Sequence, residues 1–149
     1  MANELPDMTL KAIGIVRNGI KQPPKQGWEG ITSEIVFDGS LTEALDNLDG
    51  FSHIIVLYWM HQAAGQPLIK VHPQGKGELP LVGLFASRSP NRPNPVGTAT
   101  VRLLERRGNI LKVEGLDAID GTPVIDIKPY IPGYDSVTNA EVPQWITNQ

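Results

Sequence analysis

The sequence predicts an all-β barrel or barrel-like sheet with long functional loops. Three observations point there. Fifteen Gly and thirteen Pro punctuate the 149 residues, about one position in five, which leaves little room for long helices and favours short strands joined by turns. Apolar residues fall in short runs rich in β-branched and aromatic side chains, several of them alternating with polar ones. No strand–helix alternation repeats along the chain, and only one stretch carries helix signals.

The elements follow in order. "MTLKAIGIV" (residues 8–16) reads as a first strand, and "ITSEIVF" (31–37) as a second, with the breaker-rich loop "NGIKQPPKQGWEG" between them. In "DGSLTEALDNLDG", Ser40 and Glu43 fit a capping box, Leu41, Leu45 and Leu48 share a face and Gly50 terminates. This predicts one short helix of about two turns. "FSHIIVLYWMH" (51–61) is apolar for most of its length, as expected of a central strand covered on both sides. Residues 62–80 form a long loop with six Gly or Pro, and loops of that length are usually functional or mobile. "LVGLF" leads into the stretch 88–98. "VGTATVRLLE" and "NILKVEGLDAI" flank "RRG" as a hairpin, "DGTP" (120–123) is a turn, "VIDIKP" a last strand, and the tail from Tyr130 is irregular. There is no internal repeat or linker, so the reading is a single domain over residues 1–149.

Composition narrows the function. Without cysteine there are no disulfides or thiolate metal sites, and a reducing compartment is compatible. The N-terminus lacks the pattern of a secretory signal, and the longest apolar run, "IIVLYWM", is far short of the roughly 20 residues that cross a bilayer. A cytoplasmic protein with no membrane partner is expected. Net charge is −3, which argues against a general nucleic-acid binder, yet it is unevenly spread. Residues 1–80 carry −3, residues 81–116 carry +4 and residues 117–149 carry −4. Within the basic segment Arg102, Arg106 and Arg107 suit a solvated strand face as well as a binding one, whereas Arg88 and Arg92 suggest an anion-facing patch.

Several chemistries find no support. There is no G-x-G-x-x-G, no G-x-x-x-x-G-K-[ST] and no G-x-S-x-G. On one straight strand His53 and His61 would stand about 26 Å apart, too far for one metal, and none of the three histidines is spaced as a zinc pair. No metal is expected. His53 reads as a half-buried strand histidine; His61, at the strand's end, is the better candidate to line a site.

"RSPNRPNPVGT" (88–98) is unusual. Three prolines fix φ and bias their predecessors toward extended backbone. In a polyproline II geometry of three residues per turn, Arg88, Asn91 and Asn94 would share one edge and Ser89 and Arg92 another. Such a pre-ordered fork of guanidinium and carboxamide groups suits carboxylates, phosphates or base edges. The alternative is that the arginines stack on strands and the asparagines satisfy turn amides.

Three blocks, "DGFSHIIVLYWMH" (49–61), "FASRSPNRPNPVG" (85–97) and "LDAIDGTPVIDIKPYIP" (116–132), resemble the signature blocks of the TsaA-like, or TrmO, family, and the tail "YDSVTNAEVPQW" is similar to its final segment. The resemblance runs from about Leu10 to Trp145. It implies a small, mainly antiparallel β-barrel that binds S-adenosylmethionine and forms a homodimer. It further implies methyl transfer to N6 of the adenosine just 3′ of the tRNA anticodon, where that nitrogen already bears a threonylcarbamoyl group. Carried over residue by residue, the cofactor-binding positions are Pro24, Lys25 and Gln26 (with Lys25 in place of the family's arginine), His61, Gln62, Arg88, Thr98 and the D-G-T-P turn of Asp120, Gly121, Thr122 and Pro123. Asp126, Lys128 and Tyr130 resemble the part of the pattern nearest the reacting centre, with Asp126 the candidate for orientation or proton removal. Arg92, Asn91 and Asn94 are the candidates to meet the acceptor. On this resemblance a single-domain form is expected, like shorter archaeal members, without the extra C-terminal domain of many bacterial ones. Two other readings use the same residues: methylation of a small molecule, and a non-catalytic module binding S-adenosylmethionine or nucleic acid.

Overall fold

A computed structural model of the chain describes residues 4–63 and 65–146; the two ends of the expected 1–149 domain lie outside the described residues. Its strands are β1 (Gly14–Arg17), β2 (Thr32–Phe37), β3 (His53–Trp59), β4 (Lys70–Val71), β5 (Val82–Gly83), β6 (Val96–Arg107), β7 (Ile110–Glu114) and β8 (Pro123–Pro129). Six of them close an antiparallel barrel in the order β1-β2-β7-β6-β3-β8, and β4 and β5 pair apart as a two-stranded sheet. Closure leaves the barrel no free edge to manage.

Alternation fills the interior. Val16, Ile35, Phe37, Ile54, Val56, Val101, Leu103, Leu111, Val113 and Val124 point inward and form the core. The predicted central strand is therefore covered unequally: in β3, Ile54 and Val56 are buried, whereas Ile55 and Leu57 are half-buried on the outer wall. A barrel strand has one interior face, so a continuous apolar run gains full burial only at every second residue.

The first strand is shorter than the sequence suggests. Met8 and Leu10 are exposed, and regular pairing begins at Gly14 opposite Phe37 and Val124. The predicted helix is a 3₁₀ segment, Gly39–Leu45, followed by a separate turn, Leu48–Gly50. Asp38 caps it, not Ser40: the Asp38 carboxylate accepts from both the amide and the hydroxyl of Ser40 at 3.0 Å. Ser40 lies inside the segment and gives its amide to Asp38, the amide that Glu43 would accept from in a capping box, and extended Asp46 and left-handed Asn47 (φ 69°) break the run. The tail holds one helical turn, α1 (Pro132–Asp135), where Asp135 accepts from the Ile131 amide at 2.8 Å, and a 3₁₀ turn, Gln144–Ile146. Among the described residues no helix is long and apolar enough to cross a membrane.

Part of the basic segment is spent on the scaffold. Arg106 donates to Asp46 at 2.9 Å and to the carbonyls of Thr42 and Gly108, tying the β6–β7 hairpin to the 3₁₀ segment. Arg107 approaches Glu34 and Glu105.

A register shift between β3 and β8 positions the site. Leu57 faces Asp126 but Tyr58 faces Val124, so Ile125 is an extra residue. Such bulges bend a strand and re-aim its neighbours. Here the bulge lies beside Tyr58 and Val124, at the edge of the core toward one end of the barrel.

Candidate functional site

That end carries a cleft of about 400 Å³ joined to a second lobe of about 250 Å³. Four segments build the larger lobe: Lys21, Gln22, Pro23 and Trp28 from the loop after β1; Tyr58, Met60, His61, Gln62 and Ala63 from the end of β3; Arg88 and Pro90; and Asp117, Ala118, Ile119 and Thr122. The smaller lobe adds Arg92, Val96, Gly97 and Thr98. Tyr58, Met60, Arg88 and Asp117 border both lobes and so mark where the two meet.

One wall is clamped. Asp120 accepts from the backbone amides of Asn18 (2.8 Å) and Gly19 (2.9 Å), and Lys21 lies 3.5 Å from it. The Gly19 and Asn18 amides, helped by Lys21, hold its carboxyl below the ordinary aspartate range. Asn18 in turn donates to Ser33 and to the Ala118 carbonyl. The loop carrying Lys21–Pro23 is thus fastened to residues 117–122. Gly121 supplies the left-handed turn (φ +84°), and the buried Thr122 hydroxyl donates to the Ile119 carbonyl at 2.6 Å.

The floor is Tyr58. Its ring lies against the backbone of Gly97, its cross-strand partner; a Cβ there would come within 2.5 Å of the ring and 2.9 Å of the hydroxyl. Only glycine leaves room. Desolvation chiefly, and the Asp117 carboxylate next, push the phenol up to about 12, with Arg88 acting in the opposite sense. It therefore remains an O–H donor at neutral pH. Asp117 opens onto the cleft, yet the protein crowding its carboxyl raises its pKa by desolvation.

The expected residues are distributed unevenly. His61, Gln62, Arg88 and Thr122 line the larger lobe, and Thr98 and Arg92 the smaller. Pro24, Lys25 and Gln26 lie just past the rim, where Pro24–Gly27 forms a turn and the preceding Lys21, Gln22 and Pro23 face the cleft. Asp120 and Gly121 shape the wall without lining the cleft, and Pro123 begins β8 opposite Ile15.

The polyproline geometry does not hold. The chain turns tightly at 90–92 and 94–96, where the amides of Arg92 and Val96 return to the carbonyls of Pro90 and Asn94. Arg88 and Arg92 therefore converge on the cleft, while Asn91 and Asn94 do not line it. Arg92 is half committed: it donates to the Ser87 and Ser89 carbonyls and lies 5.7 Å over the Phe85 ring.

Asp126, Lys128 and Tyr130 are not brought into the cleft. Ile127 packs inward, so Asp126 and Lys128 face out beside Leu57 and Ile55, 3.0 Å from each other. Tyr130 sits at the other end of β3, its amide bonded to the His53 carbonyl and its ring edge-on to His53 at 6.4 Å. Five residues of strand, roughly 17 Å, separate that point from Tyr58. Sequence reasoning missed Tyr58, Met60, Asp117, Trp28 and Gly97. The available signal was Tyr58 on the inward face of β3, after Ile54 and Val56, facing a glycine.

A family model described as the tRNA-methyltransferase O N-terminal domain matches residues 18–136, covering every segment that builds the cleft. The chain belongs to this family. An S-adenosyl-L-methionine-binding protein of Archaeoglobus fulgidus is 44% identical over 138 residues, which span 90% of this chain and 97% of that one. A longer relative from the same organism is 45% identical over 137 residues, and there the match spans only 37% of the relative. A crystal structure of TrmO superposes with a TM-score of 0.75 at 33% identity, over 92% of this chain and 64% of that one. The TrmO structure from Pseudomonas aeruginosa gives 0.73 at 31%, over 91% and 61%. Against those solved family members the chain therefore spans less than two thirds of the full length.

Proposed function

We propose that the chain is an S-adenosylmethionine-dependent methyltransferase acting on N6 of the threonylcarbamoylated adenosine beside the tRNA anticodon. The observation that carries this reading is the two-lobed cleft whose halves meet at Tyr58, Met60, Arg88 and Asp117, in a chain of the tRNA-methyltransferase O family. Two lobes with a shared border suit a donor and an acceptor that must touch at one point.

The residues present fit the cofactor. It has a carboxylate, an adenine and a sulfonium but no phosphate, and the sequence has no phosphate-cradling loop. Arg88 makes no hydrogen bond or ion pair to another described residue and is available for the carboxylate. Trp28, Pro23, Ala118 and Ile119 offer an apolar slot for the adenine, with Gln22 and Gln62 at its edge. When bound, the cofactor supplies an electrophilic methyl group. The chain's part is positioning: the clamped loop and the Tyr58 floor hold one lobe in register with the other, and Arg92 and Thr98 orient the acceptor. An acylated N6–H is acidic enough that water reaching the open cleft can carry its proton away; Asp126 stands outside.

Cations around the cleft mouth, Lys21, Lys25, Arg88 and Arg92, support an RNA partner despite the net negative charge. We also infer a homodimer, supported by apolar side chains exposed on the β4–β5 hairpin and next to it, among them Ile69 (84%) and Phe85 (78%). Sedimentation measures that state directly.

The deciding experiment supplies labelled S-adenosylmethionine with tRNA carrying or lacking the threonylcarbamoyl group and reads nucleosides by mass spectrometry. Methyl on the modified adenosine alone is the expected result. No product on either tRNA, with cofactor binding intact by calorimetry, would move the acceptor to a small molecule.

A further inference from the structure

Two opposite charges in the cleft are uncommitted. Neither Arg88 nor Asp117 makes a hydrogen bond or ion pair with another described residue, although they flank the same Tyr58. The other charged groups nearby are engaged or peripheral. Lys21 reaches Asp120, Arg92 is held by the Ser87 and Ser89 carbonyls, and His61 lies exposed at the rim. Asp117 is the sole carboxylate lining either lobe among the described residues.

Its position is as informative as its charge. Asp117 borders both lobes, so it stands where a group passes from one to the other. In a methyl donor that point is the sulfonium. Partial desolvation leaves a carboxylate poorly compensated until a cation arrives, so a cation gains more from it there than at an open surface. Tyr58, kept protonated, adds a neutral donor rather than a second negative charge.

We propose that Asp117 is the counter-charge for the cofactor's sulfonium and makes the cleft favour the cationic donor over the neutral thioether left after transfer. This rests on the cofactor reading above but not on the acceptor. Methyl transfer removes the positive charge: the carbon–sulfur pair stays on sulfur and the methyl leaves to the acceptor. Asp117 then faces an uncharged product, which lowers its hold and favours exchange for fresh donor. Loss of one member of a close charge pair is expected to act on dissociation.

Calorimetry with S-adenosylmethionine, S-adenosylhomocysteine and the amine analogue sinefungin tests this without any acceptor. Wild-type protein should bind both cationic ligands more tightly than the thioether. Asp117→Asn should weaken S-adenosylmethionine by about tenfold or more while S-adenosylhomocysteine moves less than about threefold. Asp117→Glu should keep the preference. Equal weakening of all three ligands would assign Asp117 to the ammonium they share and overturn the proposal. Wild-type protein that binds donor and thioether alike would overturn it even if Asp117→Asn fails to fold. Wild-type protein that binds none of the three would sink the cofactor reading itself, and the proposal with it.

Discussion

The block 116–132 contains two regions that read alike in sequence and end in different places. Residues 117–122 wrap the cleft, with Asp120 fastened to the Asn18 and Gly19 amides and Asp117 open to both lobes. Residues 126–130 run down the outside of β8, where Asp126 and Lys128 satisfy each other. Nine positions of sequence separate Asp117, at the proposed point of transfer, from Asp126, which has no access to it. In a barrel, neighbours in a motif share a site only if strand parity and register agree, and the extra residue Ile125 resets both between the two regions.

The largest effect that would break this contrast is expected at the cleft floor. Gly97→Ala drives a methyl group into the Tyr58 ring, so overpacking should cost about 1–3 kcal/mol in denaturant unfolding and abolish cofactor binding by calorimetry. Asp120→Asn comes next. It should free the loop after β1, quickening hydrogen exchange at the Asn18 and Gly19 amides and weakening cofactor binding. The same group sharpens the comparison by pH. Its folded pKa lies below the unfolded one, so its stabilisation is present above the ordinary aspartate pKa and is lost as pH falls through the folded value. Asp117 has the reverse sign: with its folded pKa raised, acidification relieves it. Unfolding curves of Asp120→Asn should show a shallower acid-side decline than wild type, the remainder coming from Glu34 and Asp38, and those of Asp117→Asn should not.

Arg106→Ala should cost about 1 kcal/mol by untying the hairpin from the 3₁₀ segment, with cofactor binding unchanged. The smallest effect belongs to the outer wall. Lys128→Met should change stability by no more than about 0.5 kcal/mol. Asp126→Asn should leave cofactor affinity untouched. A loss of methyl transfer in Asp126→Asn, with affinity intact, would mean that this wall works in the cleft of a second copy.

The barrel was legible because alternation is a local signal: Val16, Ile35, Ile54, Val101 and Val113 announce their interior face in their own strands. The helix was misread for an equally local reason, since the capping pattern at Ser40 does not reveal that Asp38 is the cap and already holds the Ser40 amide. The motif positions at His61, Gln62, Arg88 and Thr122 could be placed at a cleft through the family blocks. Asp117 and Tyr58 could not. An aspartate among loop residues and a tyrosine in a mostly apolar strand are ordinary until closure brings both to the border of the two lobes. The polyproline reading of 88–98 failed because three prolines constrain φ at their own positions but do not prevent tight turns between them, at 90–92 and 94–96.

The contact between Tyr58 and Gly97 has a consequence for how such a site can diverge. Gly97 cannot acquire a side chain while Tyr58 remains, because the ring occupies that space. Tyr58 can shrink first, opening the floor and releasing position 97 afterwards. The order of these two substitutions is therefore fixed: a lineage that places a side chain at position 97 must pass through an enlarged floor before it can arrive at a smaller one.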